Sequence, residues 1–366
     1  MTKAMDIRLI YNFFDAANLR RWNDHLRPAD LNELDKQAHK MVIAWVIAKY
    51  EGDEVDWKEL IERAMFSFIK RTILTDLKPE LFHRIVREKE KEMNEFVLRE
   101  FDKNIPDMNK KFRERFEAYL NRGTVSREDR ILEAAHYLAT AWEFKLVYKA
   151  NPTMFKIDQT KKKIDRQIWE YGDIVGVKNL MFAKDTTDFI DLCGQLRFQR
   201  RWARVPRIPE TTVLGHMLLV ANMMFLHDLD MGTCDKDIYR NYFTALFHDL
   251  PEVLTKDVIT PIKTSIDGLD DLLSEYETEM ISDEVLPLLP EEWHEEFLSL
   301  AGGPGEREIK VCDNLAAYME AYVSWRYGIS SVPLSRGRTE LRDKLLSSDT
   351  NIDTATLIAD LERMDI

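Results

Sequence analysis

The strongest constraint on the fold of this chain is an internal repeat. The triplet Arg-Arg-Trp occurs at 20–22 and again at 200–202. An apolar stretch with one histidine follows each triplet, with His39 in the first half and His216 in the second. Chance would rarely preserve landmarks in this order, so we expect the two halves to fold into similar units.

A further pair of landmarks lies near the end of each half. His136 in EAAHYLATAWE occupies the place of Asp313 in KVCDNLAAYME, and both follow the earlier histidine at the same separation. We therefore predict a tandem duplication, with one unit over residues 1–175 and the other over residues 176–366.

Both units are predicted to be helical. Glycine and proline are scarce, at 13 and 12 of 366 residues, and hydrophobic residues make up 45% of the chain. Apolar segments such as GHMLLVANMMFLHDL are long enough for several helical turns, as in buried helices, and strand-like alternation is weak. The expected fold class is all-α.

Charge and cysteine content exclude several classes of protein. The net charge of −13 gives no basic surface for duplex nucleic acid, although clustered arginine and metal can still bind a small anion. The three cysteines, Cys193, Cys234 and Cys312, match no disulfide framework or zinc knuckle. Neither a signal-peptide pattern nor an apolar run of membrane-spanning length is found. We expect a cytoplasmic protein without membrane association.

Four residues of the second half have the chemistry of a metal site. His216, His248, Asp249 and Asp313 lie in the apolar contexts LGHML, LFHDL and VCDNL. Burying such groups is costly unless they are paired or bind a metal. Two imidazoles and two carboxylates suit a borderline divalent metal such as Mn²⁺, Co²⁺, Fe²⁺ or Zn²⁺. Adjacent His248 and Asp249 can both reach one ion only if the helix breaks there, and Pro251 favours such a break.

The segments FQRRW, GHMLLVA, ALFHDLPEVLTKDVITPIK and IKVCDNLAAYMEA resemble, in order, the motifs of the bacterial HD-domain 5′-deoxynucleotidases. The resemblance covers about residues 197–330. It implies an all-helical phosphohydrolase that removes phosphate from deoxynucleoside monophosphates. It also implies one divalent metal ion (Mn, Co, Fe, Zn, Ni or Mg) bound by His216, His248, Asp249 and Asp313.

The same resemblance implies roles for neighbouring residues. Glu252 matches the catalytic acid of the family, and Asp257 matches a residue that contacts the sugar during catalysis. Arg201 and Trp202 match the pair that holds phosphate and packs on the sugar, where the tryptophan screens against a 2′-hydroxyl. Arginine suits bidentate phosphate binding, and tryptophan forms a rigid apolar wall.

The sequence also departs from the family pattern. Gly215 and Met217 flank the first metal histidine where the family has Glu and Ser, and Lys256 replaces a glycine. These changes put the exact substrate in doubt more than the metal. A second His-Asp pair, His227-Asp228, lacks the downstream Glu-Val-Leu-Thr context and is not expected to bind the metal.

The first half has lost most of the metal motif. It keeps Arg21, Trp22 and His39, but Ser67-Phe68-Ile69 stand near the position of the His-Asp pair and His136 replaces the last aspartate. We expect a catalytically inactive unit. Because the resembling enzymes are symmetric dimers, the degenerate copy is expected to supply the partner surface, so that the two units form an intramolecular pseudo-dimer. Further oligomerisation is left open.

The function has three alternatives. The favoured one is a metal-dependent 5′-nucleotidase acting on (deoxy)nucleoside monophosphates. The same site could hydrolyse another phosphorylated nucleotide: a deoxynucleoside triphosphate, an alarmone, or a cyclic or oligomeric nucleotide. A regulatory module could instead sense a nucleotide through a vestigial site. The presence of Glu252 favours an enzyme, because a sensor has no need of a catalytic acid.

Overall fold

The computed structural model describes residues 3–75, 79–255, 268–301 and 307–365. Helices make up most of these segments, and no β-strand occurs within them. Strand-like pairing within these segments consists of isolated bridges between loops. The predicted all-α class is confirmed.

The helices of the first half follow one another with short connections. They are α1 (Ile7–Asp15), α2 (Glu33–Glu51), α3 (Trp57–Leu74), α4 (Pro79–Asn104), α5 (Lys110–Leu120), α6 (Arg127–Ala150), α7 (Ile157–Trp169) and α8 (Val175–Phe182). The helices of the second half are α9 (Lys184–Gln195), α10 (Val213–Met231), α11 (Asp235–Phe247), α12 (Glu252–Thr255), α13 (Leu269–Met280), α14 (His294–Ala301), α15 (Arg307–Arg326), α16 (Val332–Leu346) and α17 (Thr354–Arg363).

Helices α2 and α10 form the centre of the molecule. Each is capped by a polar side chain: Asn32 accepts a hydrogen bond from the amide of Asp35, and Thr212 accepts one from Gly215. Nearly every side chain of both helices is buried, and the two helices pack against each other. The near-continuous apolar sequence of α10 follows from this burial on all sides.

Contacts around these two helices are reciprocal. Helix α1 packs on α10, whereas α9 packs on α2, and α3 packs on α11. Arg20 forms a bridge with Asn32, and Arg200 forms the same bridge with Thr212. Such a pattern is what two related units packed about a pseudo-twofold axis would give. It supports the tandem duplication, which stays a prediction.

The predicted boundary at 175/176 does not separate two cores. The boundary falls within α8, and this helix packs on α2 of the first half. A Cβ on Gly176 would lie 2.5 Å from the carbonyl oxygen of Ile47, so only glycine permits this approach. One cluster of buried apolar side chains contains residues of both halves. The two predicted units therefore share a core along the described chain.

The search for membrane spans covered the described helices, and none combines the length and the apolar character needed to cross a bilayer.

Candidate metal centre

Three helices bring the predicted metal ligands together. His216 lies in the first turns of α10, His248 caps the end of α11 with Asp249 next to it, and Asp313 lies in α15. Helix α10 packs against both α11 and α15, which places these side chains around one point.

The distances between the donor atoms are short. His216 Nε2 lies 3.1 Å from Asp313 Oδ1 and 3.8 Å from Asp249 Oδ2. His248 Nε2 lies 3.2 Å from Asp249 Oδ2. Ligand atoms of His216, His248 and Asp249 all fall within 4.8 Å of one another. This His/Asp cluster could hold a divalent metal ion.

The backbone break after α11 orients the His-Asp pair. The helix ends at Phe247, and the amides of Leu250 and Glu252 then bond carbonyl oxygens three residues back. Pro251 in the sequence led us to predict this break. It lets His248 and Asp249 face the same point although they are adjacent in sequence.

His248 is held in an orientation suited to metal binding. Its Nδ1 donates to the carbonyl oxygen of Ala245 at 2.7 Å, which directs Nε2 towards the cluster. That Nε2 atom is buried, and it lies 3.2 Å from Asp249 Oδ2, another predicted ligand. A buried donor atom of this kind fits a metal ligand.

The charges of the cluster also favour a cation. Burial alone would raise the pKa of Asp249, but His248 holds it below its usual range. The pKa of Asp313 is also held low against burial, by a hydrogen bond from His216 and by the charge of Lys310, whose Nζ lies 2.6 Å away. Burial and Arg201 lower the pKa of His216, so this imidazole is neutral and can donate a lone pair. Burial would lower the pKa of His248, but the charge of Asp249 raises it to about 9, so metal binding at this imidazole would displace a proton. Two carboxylates therefore stay ionised beside the imidazoles, which suits a cation.

Arg201 and Trp202 lie beside the cluster. Arg201 Nη1 is 3.5 Å from Asp249 Oδ2, and its Nη2 is 3.8 Å from Asp313 Oδ1. Trp202 has a left-handed backbone with φ 53°, and its ring lies so close to Gly337 of α16 that a Cβ there would be 2.6 Å from the ring. The fold thus fixes the tryptophan through a close approach that only glycine allows.

Glu320 is a site residue that the sequence reasoning missed. It is fully buried, and its Oε2 accepts from Trp202 Nε1 at 2.9 Å and lies 3.3 Å from Arg201 Nε. Burial alone would raise the pKa of Glu320, but Arg201 and Arg207 lower it to about 2. The available signal was a lone charge in the apolar segment AAYMEAYV, two helical turns after Asp313.

Glu252 begins α12, immediately after the break. Its amide bonds the Asp249 carbonyl oxygen at 3.1 Å, and its own carbonyl oxygen accepts from Gln199 at 2.8 Å. Its Oε2 atom is buried, and its charge acts on Arg201. The helix does not continue from His248 to Glu252, but these short turns hold the glutamate next to the pair. Asp257 lies outside the described residues, as does Lys256.

The second His-Asp pair has a different setting. His227 and Asp228 lie near the C-terminal end of α10, three turns after His216. Asp228 accepts hydrogen bonds from Asn241 at 3.1 and 3.2 Å. The pair is therefore remote from the cluster along the helix.

His39 does not occupy the helical position of His216, contrary to the match proposed from the sequence. The amide of Lys36 bonds the carbonyl oxygen of the cap Asn32, just as the amide of His216 bonds that of Thr212. Lys36 therefore occupies the helical position of His216. The His39 ring points elsewhere, with Nε2 3.0 Å from the carbonyl oxygen of Ile190.

A similar correction applies to α3. Lys70 and Arg71 follow Asp56, the N-cap of α3, by the same number of residues as His248 and Asp249 follow Cys234, the N-cap of α11. Lysine and arginine, rather than Ser67-Phe68-Ile69, thus stand at the positions of the metal-binding pair. This supports the prediction that the first half binds no catalytic metal.

The first half also reaches the metal-site helix directly. Asp35 Oδ1 accepts from Thr212 Oγ1 at 2.7 Å, and a Cβ on Gly215 would lie 2.6 Å from the same oxygen. The glutamate that the family pattern places at 215 therefore has no room, because a carboxylate of the other half already occupies this space.

Gly215→Ala should destabilise the protein by about 1–2 kcal/mol. The methyl group would meet Asp35 and Leu34, and overpacking costs about 1–3 kcal/mol, partly offset by the better helix propensity of alanine. Urea unfolding measures the change. Gly123→Ala, at a position with no atom within 4 Å of the new Cβ, is the control. Equal stability of the two variants would contradict the contact.

Asp35 should make stability fall between about pH 4 and pH 6. Burial raises its folded pKa to about 6, above the unfolded value of about 3.9. The folded state thus binds the proton more tightly, and its advantage, present at low pH, is lost as pH rises through this window. The expected loss is about 2–3 kcal/mol. Unfolding curves of Asp35→Asn across pH 4–7 should lack this decline; an unchanged slope would refute the assignment.

Comparison with known proteins relates part of the chain to the HD domain. Residues 193–320 match the model of the HD domain family. The chain is also similar to a 5′-deoxynucleotidase of Shewanella oneidensis, with 27% identity over 169 residues that cover 43% of this chain and 83% of the relative. The resemblance to HD-domain phosphohydrolases is confirmed. Together with the His/Asp cluster, these matches support a metal-dependent phosphohydrolase.

Proposed function

We propose that this protein is a 5′-nucleotidase that hydrolyses deoxynucleoside monophosphates with a divalent metal bound by His216, His248, Asp249 and Asp313. The observation that carries the proposal is the largely buried set of two imidazoles and two ionised carboxylates beside Arg201. The matched HD domain contains all of these residues, and the Shewanella relative supports the substrate class.

The neighbouring side chains have separate tasks. A bound divalent metal supplies a water of lowered pKa and polarises a phosphoryl oxygen. Arg201 presents a planar fork of donors beside the cluster, which suits the phosphate. Glu320 holds both Arg201 and Trp202 in place. Glu252 is available to move a proton to the leaving oxygen, and Asp257 is proposed to contact the sugar.

We also propose that the first half is a catalytically inactive copy that completes the second half as a pseudo-dimer. The reciprocal packing of α1 on α10 and α9 on α2 supports it. The contact of Asp35 with Thr212 and Gly215 gives the inactive half a direct task, since it fixes the start of the helix that carries His216.

A nucleotide panel tests the proposed activity. Purified protein is assayed for phosphate release from deoxy- and ribonucleoside mono- and triphosphates, an alarmone and a cyclic dinucleotide, with Mn²⁺, Co²⁺, Mg²⁺ or EDTA. We expect the highest kcat/KM on deoxynucleoside monophosphates and no turnover in EDTA. Faster turnover of another nucleotide would assign the same site to that substrate. If the protein binds nucleotides but hydrolyses none of them with any metal, the proposed enzymatic activity is wrong and a nucleotide-sensing role is supported.

Trp202→Ala should narrow the preference for deoxy- over ribonucleotides. The substitution removes a rigid apolar wall rather than a proton carrier, so a 2′-hydroxyl is no longer excluded. The ratio of kcat/KM for a deoxy- and a ribonucleoside monophosphate measures the effect, which we expect to be about tenfold or more.

Trp22→Ala is a matched control for this variant. Trp22 has the same left-handed backbone, with φ 56°, and donates to Glu143 as Trp202 donates to Glu320. It should cause a similar loss of stability without changing the ratio. The wall hypothesis fails if Trp202→Ala leaves the sugar preference at the wild-type value.

A further inference from the structure

The first half has a cluster of cationic side chains where the second half has its metal ligands. Lys36 stands at the helical position of His216, and Arg71 at the position of Asp249. Lys36 Nζ contacts His136, the counterpart of Asp313, at 3.1 Å from Nε2. Lys36, Arg71 and His136 thus stand where His216, Asp249 and Asp313 stand in the metal centre. Lys70, at the position of His248, is not part of the cluster, because its Nζ donates to Asn94 Oδ1 at 2.9 Å.

Buried amines of this cluster lack carboxylate partners. Lys36 is fully buried and Lys40 is 3% exposed. Within the described chain, Lys36 contacts His136 and Lys40 donates to Ser67 Oγ at 3.0 Å, but neither amine lies within 4.0 Å of a carboxylate oxygen. Burying an ammonium group without a counter-ion is costly, so such a group either loses its proton or acquires an anion.

The carboxylates of the cluster are already engaged. Glu33 contacts Arg21 at 2.9 Å and Arg71 at 3.3 Å, and Glu143 contacts Arg21 at 2.8 Å. Glu143 also contacts Arg197 at 3.1 Å. Both carboxylates thus bond guanidinium groups, and no ion pair joins either of them to Lys36 or Lys40 within the described residues.

Three side chains of the cluster are partly exposed to solvent. The side chains of Arg21 and Arg71 are 13% and 28% exposed, and His136 is half-buried. The lysines lie deeper. In the second half, a metal ion would supply the positive charge that draws phosphate towards Arg201. Here arginine supplies that charge without a metal. Burial and the charge of Arg21 lower the pKa of Lys36 well below its usual range, so this amine takes up its proton together with a bound anion.

We propose that the first half contains a metal-independent site for a phosphate-bearing anion, formed by Arg21, Lys36, Arg71 and His136. Arginine offers a fork of donors and lysine a point charge, which together match a phosphate group. The anion supplies the counter-charge that the buried amine lacks. The proposal does not depend on hydrolysis in the second half.

Calorimetric titration of the full chain tests the site. The experiment uses Asp249→Asn protein in EDTA, so that neither metal nor turnover contributes. Inorganic phosphate and a deoxynucleoside 5′-monophosphate are titrated separately at constant ionic strength. We expect binding that Lys36→Met weakens by about tenfold or more, since one charge-assisted contact is lost.

A matched control separates binding from stability. Lys70→Met removes another lysine whose pKa burial lowers to about 8, but its Nζ donates to Asn94 on α4. It should leave the affinity unchanged. Lys36→Met removes a buried charge without a counter-ion and should fold; if it does not, Arg71→Gln provides the same comparison at a partly exposed position.

Each outcome has a defined meaning. Equal affinity for both probes identifies free phosphate as sufficient, and tighter binding of the mononucleotide identifies a nucleotide site. The proposal is overturned if Lys70→Met abolishes binding as Lys36→Met does. It is also overturned if the affinity is unchanged in both Lys36→Met and Arg71→Gln. Phosphate hydrolysis in the nucleotide panel does not enter this comparison, so the two proposals can fail separately.

Discussion

Asp249→Ala should leave the protein without its bound metal. Asp249 Oδ2 lies 3.2 Å from His248 Nε2 and 3.8 Å from His216 Nε2, so this carboxylate stands between the two imidazoles. Losing it removes both a donor atom and a negative charge. Changes to groups that merely support metal ligands already weaken binding by roughly 10–100-fold. Loss of a ligand should exceed that range, which metal analysis after dialysis and titration with Mn²⁺ would measure.

The second His-Asp pair provides the control. Asp228 follows His227 as Asp249 follows His248, and Asp228 is also buried. Asp228→Ala removes the hydrogen bonds from Asn241 and should lower stability, yet it should keep wild-type metal content per folded molecule. Full metal occupancy in Asp249→Ala would show that Asp249 is not a metal ligand.

The metal cluster could be predicted because its residues conflict with their surroundings. Histidine and aspartate inside LGHML, LFHDL and VCDNL are costly to bury without partners, so the sequence itself indicates a shared ligand. The break after α11 was predictable for a similar local reason, the presence of Pro251. Helical character followed from long apolar segments and scarce glycine and proline.

The counterpart of His216 could not be found by matching residue types. His39 has the same kind of side chain, but helical position is set by the cap, and the caps Asn32 and Thr212 place Lys36 opposite His216. A shift of one helical turn between the repeats carries His39 away from this position. The cationic character of the first half became visible only once the helix starts were known.

Contacts between the halves depend on geometry that no local pattern encodes. In the sequence, Gly215 is only a departure from the family pattern. In the structure, glycine is needed there because Asp35 of α2 approaches closely. Glu320 similarly reads as a charge on an apolar helix, and its partners Arg201 and Trp202 lie more than a hundred residues away in the chain. Both features require the crossing of packed helices to be known.

Glu252→Gln should lower kcat by about 10²–10⁴-fold while metal content stays unchanged. This range is the usual contribution of general acid–base help. The glutamate follows the His-Asp pair by one short turn, and its amide bonds the Asp249 carbonyl oxygen at 3.1 Å. Glutamine keeps the size of the side chain and its backbone contacts but cannot carry the proton.

The kinetic pattern distinguishes this role from substrate binding. A proton needed only in the transition state lowers kcat and kcat/KM together, whereas a lost binding contact mainly raises KM. Arg201→Ala should therefore raise KM, and it should also lower kcat if the guanidinium contacts phosphate more tightly in the transition state.

Glu210→Gln is the control for the loss of a carboxylate. Glu210 pairs with Arg200 at 3.2 Å on the surface, with 43% of its side chain exposed, and should turn over at the wild-type rate. Normal turnover of Glu252→Gln on the best substrate would remove Glu252 from the chemical step. Protonation of the leaving oxygen would then have to come from solvent, and the catalytic work of this chain would reduce to holding the metal and positioning the phosphate through Arg201.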